Sequence, residues 1–457
     1  MTCPVCDESS FAPLLAVRGQ LVIRCQGCGC VALDALPTQA DYATVASARY
    51  AARYMDTLRR RGFRSGSLLA VVAAGARVDP EVFLDRTKAD GFRAEFLDLS
   101  TASANLTPAA FDAAIMLHQL QTQPAPGELL RRTRAALRPG ALLLLTVPRF
   151  NPGPASSCGP RRTEWRTGDR WYFDETTIQL LLLRYGFHEI LVRKSAAGGM
   201  LVTAVRDEPA ALPKCSIVVA AFNESRTFPV LMDALLKKAI PGVEREIIVI
   251  ESNSTDGTRA LAKQYQSHPE IKLVLQDRPR GKGHAIREGF RHATGDIVLI
   301  QDADLEYDLG DYDALLAPIL SYRALFVLGT RHAGHWKIRR FAKQKVLAAG
   351  LNLGHAFFTG LINVLFRQNM TDPFTMFKVF RRDCLFGLEF HCNRFDFDHE
   401  LVVKLVRKGY RPLEIPVNYS SRSFREGKKV RLFRDPFTWL WVDLKLRFAR
   451  VFPKDLW

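Results

Sequence analysis

Acidic residues are the scarce class in this 457-residue chain: 47 Asp and Glu stand against 64 Lys and Arg, for a formal charge of +17. The shortage is local, because residues 1–207 carry +6, 208–330 carry −3 and 331–457 carry +14. A basic last third suits an anionic partner, whether nucleic acid, phospholipid surface or phosphorylated substrate, without choosing among them. The opening "MTCPVCDESS" also lacks a basic stretch followed by an apolar core, so no signal peptide is expected and a cytoplasmic protein is the simplest reading. Hydrophobic residues are not scarce. At 47% of the chain they exclude disorder as the default and supply two or three domain cores. Nor do the nine cysteines suggest a disulfide scaffold, since four fall as Cys3-x-x-Cys6 and Cys25-x-x-Cys28, the spacing of a tetrahedral structural Zn²⁺ site. Cys30, Cys158, Cys215, Cys384 and Cys392 are expected to be reduced thiols.

Behind the cysteine pairs, apolar runs alternate with helical stretches: "SLLAVVAAG", "FRAEFLDL", "FDAAIML", "ALLLLTVP", "FHEILVRKS" and "GMLVTAVR". That alternation predicts a mostly parallel α/β sheet, and the last two runs, separated only by "AAG", an antiparallel hairpin. With "FDAAIMLHQLQTQPAPGELLRRTRAALRPGALLLLTVPRFN" and "YFDETTIQLLLLRYGF", the pattern resembles the class I methyltransferases preceded by a zinc ribbon. The resemblance implies a ribbon over residues 1–35 and a Rossmann-like sheet over 36–207. Glycine is what this stretch lacks. The family's first loop is acidic and glycine-rich, whereas "LLAVVAAGARVD" offers only Gly75, so the domain reads as degenerate and S-adenosylmethionine is not expected to bind, although Asp98 remains available to a ribose.

A linker over 208–214, within the proline-bearing "RDEPAALPKC", leads to a second parallel α/β region with strands "CSIVVAAF", "EIIVIES", "IKLVLQ" and "DIVLIQD". Ligands in such sheets sit beyond the strands' carboxyl ends. Those ends carry "NES", "ESNSTDGT" and "QDADLE", the last placing Asp302, Asp304 and Glu306 on alternate positions. On an extended backbone that period aims three carboxylates to one side, where they repel unless a divalent cation, a basic side chain or water intervenes.

In order, "SIVVAAFNES", "IIVIESNSTDGT", "RPRGKGHAIREGFRHATGDIVLIQDADLEYD", "VLGTRH", "TDPFTMFKVFRR" and "RSFREGKKV" resemble the family 2 glycosyltransferases of GT-A fold, the dolichol-phosphate mannosyltransferase-like enzymes in particular. The resemblance implies an inverting domain over 215–435 that takes a nucleotide-sugar donor. Asn223, Glu224, Glu251, Asn253, Asp256, Lys282 and Asp302 would bind the donor, and Asp302, Asp304 and Glu306 would hold Mg²⁺ or Mn²⁺. Arg331, Arg340 and Arg422 would meet the acceptor, most simply a polyprenyl phosphate; Lys428 and Lys429 belong with Arg422 to a loop that closes over phosphates in the family. Asp302, Asp304, Asp372, Arg422 and Lys428 would carry catalysis, with Asp372 as first candidate base should the acceptor be a glycan hydroxyl.

The run 346–366 contains no Asp, Glu, Lys or Arg, but Asn352, His355, Thr359 and Asn363 form a polar stripe that predicts a helix lying on a membrane or against the acceptor site rather than a span. Over 436–457 a basic helix with Phe437, Leu440, Trp441, Leu444, Phe448 and Val451 on one face suits a membrane interface, with docking on the protein's own core as the alternative. The competing function classes are a bifunctional methyltransferase, a non-catalytic binding scaffold, and a nucleic-acid binder, which leaves the three acids unexplained.

Overall fold

The computed structural model describes residues 1–17, 20–34, 48–72, 85, 87–88, 90–98, 106–150, 169–194, 199–208, 212–332, 345–420 and 435–450. The chain divides into two compact units, built on Met1–Pro209 and Ala210–Pro453.

In the first unit the elements are β1 (Phe11–Val17), β2 (Gln20–Cys25), β3 (Val31–Leu33), α1 (Ala48–Arg60), β4 (Gly66–Val72), β5 (Phe92–Asp98), β6 (Phe111–Leu117), α2 (Pro126–Ala136), β7 (Leu137–Pro148), β8 (Trp171–Tyr172), α3 (Glu175–Arg184), β9 (Phe187–Lys194) and β10 (Gly199–Arg206). One sheet runs β5-β4-β6-β7-β10-β9. Its first four strands are parallel, which is why "LLAVV" and "AAIM" are apolar without alternation: both faces are covered. The β9–β10 hairpin is antiparallel, as the three-residue spacing predicts, and β10 returns beside β7. Helix α3 starts where the Asp174 carboxylate accepts from the Thr176 and Thr177 amides at 3.1 and 2.9 Å.

A second sheet, β1-β2-β3-β8, carries the cysteine ribbon. Here the sequence reading needs correction. Residues 1–35 do not complete the ribbon alone, because β3 pairs with β8, Val31 opposite Tyr172 and Ala32 opposite Trp171. Val22, Val31, Leu33, Phe150 and Tyr172 share one small core, so the ribbon is packed into the rest of the first unit. A two-residue strand 140 residues downstream is too short to leave a periodic signal. Gly75 and Cys158 lie outside the described residues.

The second unit comprises β11 (Lys214–Ala221), α4 (Phe228–Lys237), β12 (Glu244–Glu251), α5 (Thr258–Gln264), β13 (Ile271–Leu275), α6 (Lys282–His292), β14 (Ile297–Asp302), α7 (Tyr312–Leu320), β15 (Phe326–Thr330), α8 (Lys345–Phe366), β16 (Lys378–Arg381), α9 (Asp396–Lys408), β17 (Leu413–Pro416) and α10 (Asp435–Phe448). Its sheet runs β13-β12-β11-β14-β16-β15-β17, parallel through β14 and then mixed around β16. The register sets Ala221 opposite Glu251 and Ala220 opposite Asp302. The polar ends of β11, β12 and β14 therefore open on one edge of the sheet.

Two helices of this unit wear their apolar faces outward. On α8 the polar stripe is inside, with Asn352, His355 and Thr359 buried, whereas Leu353, Phe357 and Val364 are exposed. On α10, Phe437, Trp441 and Phe448 are 75%, 69% and 85% exposed, and Leu444 is exposed beside them. Asp443, on the opposite side of α10, is fully buried and accepts from His399 Nδ1 at 3.0 Å. The His399 ring is stacked between Phe374 and Trp439. Among the described residues α8 is also the one helix long and apolar enough to cross a membrane.

Candidate functional site

The acidic run is not the extended ladder that its spacing suggests. Strand β14 stops at Asp302, the chain turns through Ala303 and Asp304, and Leu305 takes a left-handed φ of 58°. The three carboxylates consequently meet different surroundings. Lys282 Nζ lies 2.7 Å from the Asp302 carboxylate and 3.0 Å from Met376 Sδ. Asp304 Oδ1 accepts from the Glu306 amide at 3.2 Å, and Glu306 Oε2 accepts from the Tyr419 hydroxyl at 2.9 Å. Among the described residues the four ribbon cysteines are the one group of three or more side chains within reach of a single ion, so Asp302, Asp304 and Glu306 do not converge as a three-carboxylate site.

Electrostatically the three acids are nonetheless linked. Burial, offset in part by Lys282 and reinforced by Asp304, raises the Asp302 carboxyl above its ordinary value. Burial opposes the charge on Lys282, but Asp302, Asp398 and Asp304 together raise it. A lysine thus answers part of the repulsion that the sequence poses. Hard oxygen donors remain at Asp304 beside Asp302, a set that suits Mg²⁺ or Mn²⁺ completed by ligand and water oxygens.

Lys282 is delivered by the first turn of α6, and its flanking glycines are steric necessities. Gly281 has φ +99°, and a Cβ there would sit 2.3 Å from the Asn393 carbonyl oxygen; one on Gly283 would sit 2.4 Å from Phe397 Cβ. The helix start can therefore press against the segment leading into α9.

At the other strand ends, candidate donor residues hold the loops to one another. Asn223 has φ 50°; its amide donates to Ser254 Oγ at 2.9 Å and its Oδ1 accepts from the Thr255 amide at 2.9 Å. The Glu224 amide donates to Thr258 Oγ1, and Thr227 Oγ1 donates to Glu224 Oε2 at 3.0 Å. Asp256 accepts from the Thr258 hydroxyl and from the Ser225 and Thr258 amides, and these bonds, against the opposing effect of burial, draw its carboxyl down to about 2. Glu251, fully buried, accepts from the Ser254 amide at 2.7 Å and from Arg259 Nη1 at 3.1 Å. The same Arg259 group donates to Asn253 Oδ1 and to the Gln276 carbonyl. Sequence reasoning missed Arg259: nothing local marks an arginine on α5 as the partner of a strand-end acid.

A second cluster lies at the end of β15. Asp372 is fully buried and accepts four hydrogen bonds: from the Arg331 amide (3.0 Å), Arg331 Nε (2.7 Å), Arg331 Nη2 (2.8 Å) and His355 Nε2 (3.0 Å). Despite burial, Arg331 and then His355 hold its carboxyl well below the usual range. A carboxylate so stabilised has little affinity for a proton, which weighs against a base role for Asp372. Arg331 spends Nε and Nη2 on the pair, keeps Nη1 over, and stacks on Tyr419 with its Cζ 5.2 Å from the ring centre. Tyr419 thereby borders both clusters, another residue without a local signal. Arg340, Arg422, Lys428 and Lys429 lie outside the described residues.

In the first unit, Cys3, Cys6, Cys25 and Cys28 place their sulfurs within 4.8 Å of one another, with Cys3–Cys28 and Cys6–Cys25 both at 3.5 Å. Zn–S bonds of ~2.3 Å in a tetrahedron put sulfurs ~3.8 Å apart, so the cage fits zinc. Hydrogen bonding to Cys25, which takes the charge, raises the Cys3 thiol to about 12, and Cys6 and Cys28 are raised as well.

Comparison with known proteins bears on the second unit. The model of Glycosyl transferase family 2 matches residues 216–386. A dolichyl-phosphate beta-glucosyltransferase of Trichomonas vaginalis is 29% identical over 221 residues, covering 45% of this chain and 63% of that relative. The dolichol-phosphate mannosyltransferase of Pyrococcus furiosus is 24% identical over 216 residues, 47% of this chain and 59% of its own length. The chain thus spans less than two thirds of these relatives. Among solved structures, glucosyl-3-phosphoglycerate synthase from Mycobacterium tuberculosis, in a complex with Mn2+, UDP-glucose and phosphoglyceric acid, aligns at a TM-score of 0.38 with 19% identity, over 52% of this chain and 81% of that one.

Proposed function

Because its second unit contains a family 2 glycosyltransferase domain, we propose that the chain transfers a sugar from a nucleotide-sugar donor to a polyprenyl phosphate, with inversion and with the help of a divalent cation. The observation that carries this reading is the edge formed by the in-register ends of β11, β12 and β14, where Asp302 and Asp304 stand beside Lys282. The names of the two curated relatives supply the acceptor class.

In this mechanism an acceptor phosphate oxygen attacks the anomeric carbon. The new C–O bond forms as the bond to the donor diphosphate breaks, and the nucleoside diphosphate leaves with the electron pair. An anionic acceptor has no proton to give up, so no strong base is required. Asp304, with Asp302, would hold the cation, which would supply charge neutralisation at the diphosphate. Lys282 is already charged and positioned before donor arrives. It balances Asp302 and would reach toward a diphosphate oxygen of the donor. Arg331, oriented by Asp372, presents its remaining Nη1 group to the acceptor phosphate. Transfer to a glycan hydroxyl is the second reading, and the low basicity of Asp372 weighs against it.

The test uses the full chain, a panel of uridine- and guanosine-diphosphate sugars, a short-chain polyprenyl phosphate, and Mn²⁺ added or withheld. A lipid-linked sugar phosphate formed with one donor and only with the cation is expected. Consumption of no donor, or transfer to glycan hydroxyls while the lipid phosphate stays unmodified, would overturn the reading.

A further inference from the structure

Of the four hydrogen bonds that Asp372 accepts, three come from Arg331 itself. Two of the three come from the guanidinium and one from the Arg331 main-chain amide, so all three bind the carboxylate to a single residue. The fourth bond is the one supplied from elsewhere. It comes from His355 on α8, a different element, and it lands on Oδ1, the oxygen that Nη2 also uses. The backbone around the acid is already held, since the Asp372 amide donates to Glu414 Oε1 at 2.7 Å. Among the described residues His355 is therefore the one residue besides Arg331 that holds the carboxylate oxygens in place. That ring is itself packed edge-on against Phe374 at 5.5 Å and lies 5.3 Å from the His332 ring.

We propose that His355 is a positioning residue: through Asp372 it fixes the direction in which Arg331 offers its free Nη1 group to the acceptor phosphate. The proposal rests on the polyprenyl-phosphate reading and adds a residue to it. It also gives α8 a role. His355 lies on the buried stripe, two residues from Leu353 and two from Phe357, and a two-residue step is about 200° around a helix. One rigid element therefore shows an apolar face to the outside and a hydrogen-bond donor to Asp372, the carboxylate that pairs with the acceptor-side arginine. A lipid that engages the outer face and a phosphate that engages Arg331 are registered against each other by the same helix.

Two variants separate positioning from packing. His355→Phe keeps ring volume and removes the donor; His355→Gln keeps an Nε donor on a side chain of similar reach. In His355→Phe we expect the KM for polyprenyl phosphate to rise about tenfold, the scale of losing one hydrogen bond to a buried charge, with kcat and the donor KM within about twofold of the parent. His355→Gln should restore the acceptor KM. The Arg331 Nε–H signal in ¹⁵N-resolved NMR of the full chain should be protected from exchange in the parent and in His355→Gln, and lose that protection in His355→Phe. An unchanged Arg331 signal in folded His355→Phe protein, equal changes in both KM values, or failure of His355→Gln to rescue would overturn the proposal. If the parent protein does not accept polyprenyl phosphate at all, the acceptor reading fails, and the Arg331 signal still decides the role of His355.

Discussion

Asp302 and Asp304 are two positions apart and do different work. Asp302 is tied to Lys282, whereas Asp304 faces the turn and carries the reading of a metal ligand. Replacing Asp304 by Asn keeps the side chain's size and its capacity to accept from the Glu306 amide, but removes the charge that a cation needs. Transfer in Asp304→Asn should fall by about a hundredfold or more, with the circular dichroism spectrum and melting temperature unchanged. Turnover close to the parent's would remove Asp304 from the metal site. Asp372→Asn should behave in the opposite way. It leaves the buried Arg331 without its counter-charge, so a stability loss of about 3–5 kcal/mol is expected in denaturant titrations. The pH dependence follows from the sign of the shift. A carboxyl whose folded value is depressed contributes fully above the ordinary range near 4 and loses that contribution only as pH falls through the lower folded value. The stability gap between parent and Asp372→Asn should therefore stay constant from pH 8 to pH 5.

Strands of the second unit were the most legible elements, because "SIVVAA", "IIVI" and "IVLI" are short apolar runs bounded by polar clusters, and a parallel sheet buried on both faces demands that pattern. The acids at the strand ends were legible as a group, but their geometry was not: period two implies one side only if the strand continues, and Leu305 interrupts it with a positive φ. A partner supplied from far along the chain, such as Tyr419 for Glu306, depends on tertiary contacts that no local window contains, and even Arg259, close to Glu251 in sequence, reaches it only through the strand-to-helix turn. The basicity of Asp372 was not legible either, because it depends on Arg331 and His355 and not on the motif that contains it. The ribbon illustrates the same division. Its ligand spacing is readable, and Gly27, where a Cβ would stand 2.9 Å from Cys6 Sγ, shows how tightly the knuckle closes. Its fourth strand is not readable. Protein purified without chelator should contain one zinc ion per chain by elemental analysis, and Cys25→Ser should lose it and lower the melting transition of the first unit. Absence of zinc from the parent protein would refute the site.

At the scale of the whole molecule, the basic pole and the outward apolar helices belong to the same unit. Helix α10 is held to the body by its buried side, through Val442, Leu446 and the Asp443–His399 bond, so its aromatic stripe is not what docks it. Phe437, Trp441, Leu444 and Phe448 recur at steps of four, three and four, the spacing of one helical face. Lys445, Arg447 and Arg450 are exposed around that stripe, and Phe358 of α8 packs edge-on against Trp439 of α10 at 5.4 Å, which brings the two outward faces together. Such a surface suits an interface where acyl chains meet anionic headgroups, and it places a lipid-borne acceptor within the same unit as Arg331. The chain should therefore float with vesicles containing anionic lipid, and high salt should weaken that binding by screening the basic flank. Phe437→Ser combined with Trp441→Ser alters only exposed positions, so the fold should survive. Each ring forgoes about 1.5–3 kcal/mol of burial, and the fraction floating should drop at least about tenfold. Binding that is insensitive to both salt and this pair of substitutions would show that α10 is not the surface that meets the membrane.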